Sequence, residues 1–280
     1  MYFEQLRDRA ILSIAGSDKF TFLQGLLTND VKKVIHHPIY SLMLTPQGKF
    51  FYDFYLVLNG DKILLDCAAE KYDQICKIFF MFKLRSDISI NQVKDQYKIF
   101  SIYGDGLFNV NNESVFIDPK CSFLGSRAIV KVDYAEEFLK KSNLVSAENY
   151  MKLVYDLSIP LPHIDLLSEE SFPLEFGMDF LNAISFEKGC YVGQELTART
   201  KHRGVIRKKV YKIIAQDDLS NIKYGAEITI GQNKIGKFCS AFNKIGKALI
   251  REEDYLPYNS TKPILLNGLA INLQLPSWYL

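Results

Sequence analysis

Asn233-Lys234-Ile235-Gly236-Lys237 recurs as Asn243-Lys244-Ile245-Gly246-Lys247, ten residues later. A ten-residue period carrying Asn and Gly turn residues suits successive strands of a small barrel or sandwich. From about residue 207 the whole chain takes this form, with short β segments separated by turns. The plain alternative is two coincident turns. Before that point the pattern mixes strands with helices, so a boundary is expected between 1–206, an α+β region of two intertwined subdomains, and 207–280, a C-terminal β domain.

In the first region Ala10 to Ala15 reads as a strand. Ser17 is placed to N-cap a helix in which Phe20, Leu23 and Leu27 fall at helical spacing. Further strands are expected at Ile39 to Leu44, Phe50 to Leu58 and Lys62 to Cys67, the last two flanking a tight turn at Asn59-Gly60. A helical period runs through Ile75, Ile78, Phe79 and Phe82 in 70–83. Strands follow at Asp87 to Gln92, Tyr97 to Tyr103 and Ala128 to Val132, with helices near 134–142 and 147–157.

With 34 Lys and Arg against 32 Asp and Glu among 280 residues, the formal charge is only +2, which argues against a dedicated nucleic-acid binder. Five cysteines at irregular spacing provide neither a disulfide framework nor a metal knuckle, so no metal site of the chain's own is expected. No run approaches the roughly 18 apolar residues of a membrane span. The first residues, M-Y-F-E-Q-L-R-D-R, resemble neither a secretory signal nor a transit peptide. A reducing compartment is expected: the cytoplasm for a bacterial chain, the mitochondrial matrix for a eukaryotic one.

The small net charge conceals a sharp division. Leu153 to Glu187 holds seven acids and no Lys or Arg, and Leu196 to Gln216 holds seven bases and no acid. At the change of sign stands Lys188-Gly189-Cys190-Tyr191-Val192-Gly193-Gln194-Glu195. The two glycines permit a tight turn or close approach to a ligand, and a short helix is expected from Gly193 onward. A cysteine just ahead of a helix N-terminus, with Lys188 and Arg199 nearby in sequence, has the surroundings that favour a thiolate. The plain reading is an inert buried thiol, and the flanking residues alone leave both open.

These eight residues, followed by Ala198-Arg199 and Arg203-Gly204, resemble the signature of YgfZ-type folate-binding proteins. These are relatives of the glycine-cleavage T-protein and include iron–sulfur cluster assembly factors. Leu23-Gln24-Gly25, Thr28-Asn29-Asp30, Pro46-Gln47-Gly48-Lys49 with Asp53, and Pro173-x-Glu175 are similar to the family's pattern in the same order. The resemblance implies a T-protein-like ring of ferredoxin-like α+β parts with a C-terminal β-barrel, holding tetrahydrofolate or a one-carbon derivative. It makes Cys190 the key thiol, with Lys188, Gly189, Tyr191, Gly193, Gln194 and Glu195 forming its loop.

On that resemblance the chain is expected to be a folate-binding accessory factor that assembles or repairs iron–sulfur clusters in client enzymes, including tRNA-modifying ones. Turnover chemistry is not expected. Asp53 and Glu175 would face the pterin, Arg199 and Arg203 the glutamate tail, and Cys190 would be a redox thiol or one ligand of a transient cluster. Since one cysteine cannot hold a cluster, an iron–sulfur client or carrier protein is the expected partner, and neither membrane nor nucleic acid is. The alternatives are a folate-dependent aminomethyltransferase and an RNA-binding module. Against the first, Tyr52 stands where the T-protein has an acid, and the single Trp278 leaves pterin stacking to Tyr or Phe.

Overall fold

A computed structural model describes residues 1–104, 115–142, 145–146, 149–257 and 262–280. They form two compact units interleaved along the chain. The first comprises Met1–Pro46, Phe51–Tyr150 and Asn182–Gln194, and the second Gln47–Phe50, Met151–Leu181 and Glu195–Leu280.

The first unit contains strands β1 (Tyr2–Gln5) and β2 (Arg9–Ala15), helix α1 (Lys19–Leu26), strands β3 (Ile39–Leu44), β4 (Phe50–Asn59) and β5 (Lys62–Ala68), and helix α2 (Tyr72–Lys83). Strands β6 (Ser89–Gln92), β7 (Tyr97–Tyr103), β8 (Val115–Ile117) and β9 (Ser126–Lys131), helix α3 (Val132–Ser142) and strand β10 (Val145–Ser146) complete it. They make two five-stranded sheets, ordered β3-β4-β5-β2-β6 and β10-β1-β7-β9-β8. The two-residue alternation of each strand decides what lies on either face. Leu12 and Ile14, Phe54 and Leu56, and Ile63 and Leu65 of the first sheet pack with Phe22, Leu23 and Leu26 of α1 and Ile75 and Phe79 of α2. Phe100, Ile102, Ala128 and Val130 of the second sheet pack against Ala135 and Phe138 of α3.

The opposite faces of these strands carry charge. Arg9 on β2 bonds Asp66 on β5 at 2.6 Å and Asp53 on β4 at 3.0 Å. Arg127 on β9 reaches Asp66 at 2.8 Å, joining the two sheets, and Asp118 at 3.4 Å. The unit is thus layered as helix, sheet, sheet, helix, with a buried ion network between the sheets.

Helix α4 (Tyr150–Asp156) and helix α5 (Gln194–Arg203) precede the barrel of the second unit. Its strands are β11 (Lys208–Ala215), β12 (Glu227–Ile230), β13 (Asn233–Phe242), β14 (Ile245–Arg251), β15 (Ile264–Leu266) and β16 (Leu269–Gln274). They close in the order β11-β14-β13-β12-β15-β16, with β16 returning to β11 from Lys212 and Gln274 to Ala215 and Ile271. The two repeat copies stand in different registers. In the first, Asn233 and Lys234 follow a Gly231-Gln232 turn, whereas Asn243-Lys244 is itself the turn between β13 and β14. At Gly236 a Cβ would lie 2.5 Å from the Leu249 carbonyl oxygen, so a glycine is required for the strands to approach.

The second unit includes more than the barrel. The buried Asp165 carboxylate pairs with the buried Lys247 ammonium on β14 and accepts from Ser240 on β13 at 2.6 Å. The acidic and basic runs also meet within this unit, through Lys201 with Asp179 at 2.7 Å and Lys208 with Glu175 at 3.1 Å. The opposed runs therefore serve in part as internal pairs.

Several local expectations shift. Ser17 does not cap α1: its hydroxyl donates to Asp87 at 2.8 Å, and Asp18 occupies the cap position with no side-chain cap bond. Leu27 leaves the helix and bridges Met43. The β4–β5 turn is Gly60-Asp61, one residue later than expected, since Asn59 pairs with Lys62. The helix expected over 147–157 is α4, and positions 147 and 148 lie outside the described residues.

Candidate functional site

Cys190 is exposed, and Cys67, Cys76, Cys121 and Cys239 are buried. Burial raises all four of those thiols; it takes them out of thiolate chemistry at neutral pH. Among the described residues no group of three or more His, Cys, Asp or Glu side chains gathers to hold a metal ion.

The Cys190 loop is anchored on α1, more than 160 residues earlier in the chain. Lys188 donates from Nζ to the carbonyls of Gln24, at 2.7 Å, and Leu27. A helix leaves its last carbonyls without intrahelical partners, and α1 has no basic residue in its own last turn. Lys188 therefore supplies the C-terminal cap and the favourable charge from outside. Burial lowers its pKa to about 8, against a smaller opposing pull from Asp30.

Val192 completes the anchor, donating from its amide to Gly25 O at 3.1 Å and packing against the α1–α2 core. Ahead of the loop, Thr28 donates to Ala183 O at 2.6 Å, and Asn29 donates to Asn182 O at 2.8 Å. The motifs Leu23-Gln24-Gly25 and Thr28-Asn29-Asp30 are thus the seat on which the Cys190 loop rests.

On the loop itself, Tyr191 is buried, 4.9 Å from the Lys188 ammonium, and burial raises its hydroxyl to about 12. Its amide donates to Gln194 Oε1 at 3.2 Å, and the Gln194 amide returns a bond to Tyr191 O at 3.2 Å. Gly193 takes φ +82, a conformation side-chain-bearing residues rarely adopt. Glu195 is exposed in the first turn of α5, where a carboxylate favours the helix dipole. Gly189 and Cys190 are the exposed apex between these anchors. Of the two cations expected beside the thiol, Lys188 is engaged elsewhere, because it holds α1.

The residues expected to hold folate behave differently. Asp53 is 2% exposed, and Arg9 donates to both its oxygens, with Tyr40 adding a third bond at 3.4 Å. A pterin edge needs an accessible carboxylate. Asp53 does not meet that need, being a member of the inter-sheet ion network. Glu175 is engaged by Lys208. Arg199 and Arg203 are exposed on α5, four residues apart and so on one helix face. Tyr52 is buried, its hydroxyl donating to Gln74 at 3.3 Å, so the position the T-protein gives to an acid is a core position here. Sequence reasoning missed Asp66, Asp118 and Arg127. An acid inside the apolar run Ile63 to Cys67 was the available signal.

The second unit closes as a barrel, the first is built of helix-backed sheets, and together they match a solved structure across nearly the whole chain. That structure is glycine cleavage system aminomethyltransferase T from Bartonella henselae, with a TM-score of 0.71, 14% identity and coverage of 98% of this chain and 84% of that one. The chain has the aminomethyltransferase T fold.

In sequence this bearer of the fold is similar to a different set of proteins. The iron–sulfur cluster assembly factor IBA57 homolog, mitochondrial, of Neurospora crassa is 30% identical over 75% of this chain, which spans about half of that relative, 53%. The mitochondrial IBA57 of Mus musculus is 28% identical over 98% of this chain and 84% of its own length. That of Homo sapiens is 28% identical over 89% of this chain and 77% of its own length. No family model matches. Among the described residues no helix is long and apolar enough to cross a membrane.

Proposed function

We propose that this protein takes part in assembling or repairing iron–sulfur clusters in client proteins, with Cys190 as a ligand supplied to a cluster shared with a partner. The observation that carries the reading is the exposed Cys190 at the apex of a loop held by Lys188 and Val192. Similarity to the IBA57 assembly factors supports it.

On binding iron, the Cys190 thiol gives its proton to solvent and coordinates as thiolate. A [2Fe–2S] cluster takes four protein ligands, so the other three come from the partner. The chain's own task is positional. Capping α1 with Lys188 and closing the Tyr191–Gln194 turn fixes the loop, lowering the conformational entropy lost when a second protein engages the thiol. Tyr52 in place of an acid disfavours aminomethyl transfer. The pairing of Lys201 and Lys208 with acids reduces the charge available to RNA.

A reduced folate and tRNA-modifying clients belong to the same proposal through the family resemblance. Arg199 and Arg203 suit a carboxylate-bearing tail, but Asp53, buried in the ion network, does not fit the pterin role, and no step is derived through folate. For a eukaryotic source the compartment proposed is the mitochondrial matrix. The test is complementation of a strain lacking its own copy. Cys190→Ser is expected to fold and to lose support of cluster-dependent enzymes, whereas full support by that variant would overturn the reading.

A further inference from the structure

Of the 16 glycines, Gly106 lies outside the described residues. Ten others take a left-handed φ that only glycine adopts without strain. At Gly204, Gly236 and Gly246 a Cβ would lie 2.9, 2.5 and 3.2 Å from a backbone oxygen, so packing requires the bare residue. Gly25 and Gly189 have neither reason. Their φ is not left-handed, and beyond the neighbouring chain a Cβ on either would meet nothing within 4 Å.

Both belong to the Cys190 site. Gly189 adjoins the thiol in sequence. Gly25 lies in the last turn of α1, where its carbonyl accepts from the Val192 amide while Gln24 and Leu27 on either side accept from Lys188. The loop is thus fastened around Gly25, yet none of its atoms comes within 4 Å of the missing side chain. On folding grounds glycine is a poor choice at both places. It weakens a helix relative to alanine, and at the apex of an anchored loop it adds to the entropy lost on ordering. The bare backbone becomes intelligible if something else comes against it when the protein is at work.

The apex also leaves backbone donors unused. Among the described residues neither the Gly189 nor the Cys190 amide has a hydrogen-bond partner, whereas those of Tyr191, Val192 and Gln194 are bonded. Successive unbonded amides favour an anion, and hydrogen bonds to sulfur tune iron–sulfur clusters. A [2Fe–2S] cluster on four thiolates is such an anion. The charged side chains just before the apex do not offset it, since Glu187 is an exposed acid and Lys188 is bonded to α1.

We infer that Gly25 and Gly189 make room for the shared cluster: its sulfide face rests against the bare backbone beside Cys190, and the Gly189 and Cys190 amides donate to sulfur. The occupant is the cluster itself, and the partner reaches this place through its thiolates alone. This rests on the cluster-sharing reading of Cys190.

The test takes Gly25→Ala, Gly189→Ala and Cys190→Ser in the whole chain. Each is mixed anaerobically with a purified carrier that holds a [2Fe–2S] cluster on cysteines, first in its apo form and then loaded. Both alanine variants should melt no lower than wild type, because open space receives the methyl group, and should bind the apo carrier within threefold of wild type. From the loaded complex they should lose iron to a chelator at least tenfold faster. The cluster they hold should also have a more negative reduction potential, because amides that reach it less closely stabilise the added electron less.

Iron loss and potential unchanged in both alanine variants, with Cys190→Ser retaining no shared iron, overturn the role of the glycines and leave the function reading standing. A melting temperature lowered in both also overturns it, by showing that the glycines serve the fold. Apo-carrier binding weakened tenfold or more overturns it in favour of the partner's own backbone as the occupant. If Cys190→Ser retains the cluster as wild type does, the function reading falls and the role of the glycines with it.

Discussion

The layer between the two sheets of the first unit and the loop around Cys190 both concentrate polar groups, and they use them in opposite ways. Between the sheets, the guanidinium groups of Arg9 and Arg127 pair with the carboxylates of Asp53, Asp66 and Asp118, largely shielded from water. At the loop, charge and amide donors are directed at backbone carbonyls, and the group that remains accessible is a thiol. Burial makes the first arrangement a structural fastening. Backbone anchoring makes the second a platform for an exposed thiol, and Asp53, bonded by Arg9, belongs to the fastening.

Breaking the inter-sheet layer should have the largest effect. Arg127→Leu leaves Asp66 buried with half its pairing, at a cost of roughly 3–5 kcal/mol, measurable by denaturant unfolding. A loss below about 1 kcal/mol would show that the layer is solvated.

The same layer should give way in alkali. Tyr40, Tyr55 and Tyr150 sit in it, and burial raises all three hydroxyls. Unfolded tyrosine titrates near pH ~10 while these stay protonated in the fold, so above that pH the unfolded chain binds fewer protons. Stability held below pH ~10 should then fall by up to about 1.4 kcal/mol per pH unit for each tyrosine. Melting temperatures between pH 9 and 11 test this, and a flat profile would contradict it.

A smaller effect is expected from Lys188→Met. The carbonyls of Gln24 and Leu27 lose their donor, at about 1–3 kcal/mol, and amide exchange at Val192 should accelerate as the loop loosens. Unaltered exchange there would remove Lys188 from the anchor. Cys190→Ser should be the mildest, within about 0.5 kcal/mol of wild type, because the site is exposed.

What could be read in advance follows the range of the interactions. The limits of β3 match Ile39 to Leu44, and the α5 helix begins where Gly193-Gln194 suggested, since both depend on local pattern. The barrel was legible through its turns, although the two repeat copies occupy different registers. The inter-sheet network was not, because Arg9 meets Asp53 and Asp66 from 44 and 57 residues away, and Arg127 meets Asp66 from 61. Cys190 stood out by its glycines and the change of charge around it. Which groups hold its loop was hidden, since Lys188 looked like a cation for the thiol and caps a helix 161 to 164 residues away.

The most direct test mixes the protein anaerobically with a cysteine-ligated [2Fe–2S] carrier and measures iron and visible absorption in the isolated complex. Wild type should retain one cluster per heterodimer, and Cys190→Ser should retain none while keeping its fold. Equal retention by the two proteins would contradict the assignment of Cys190 as a shared cluster ligand.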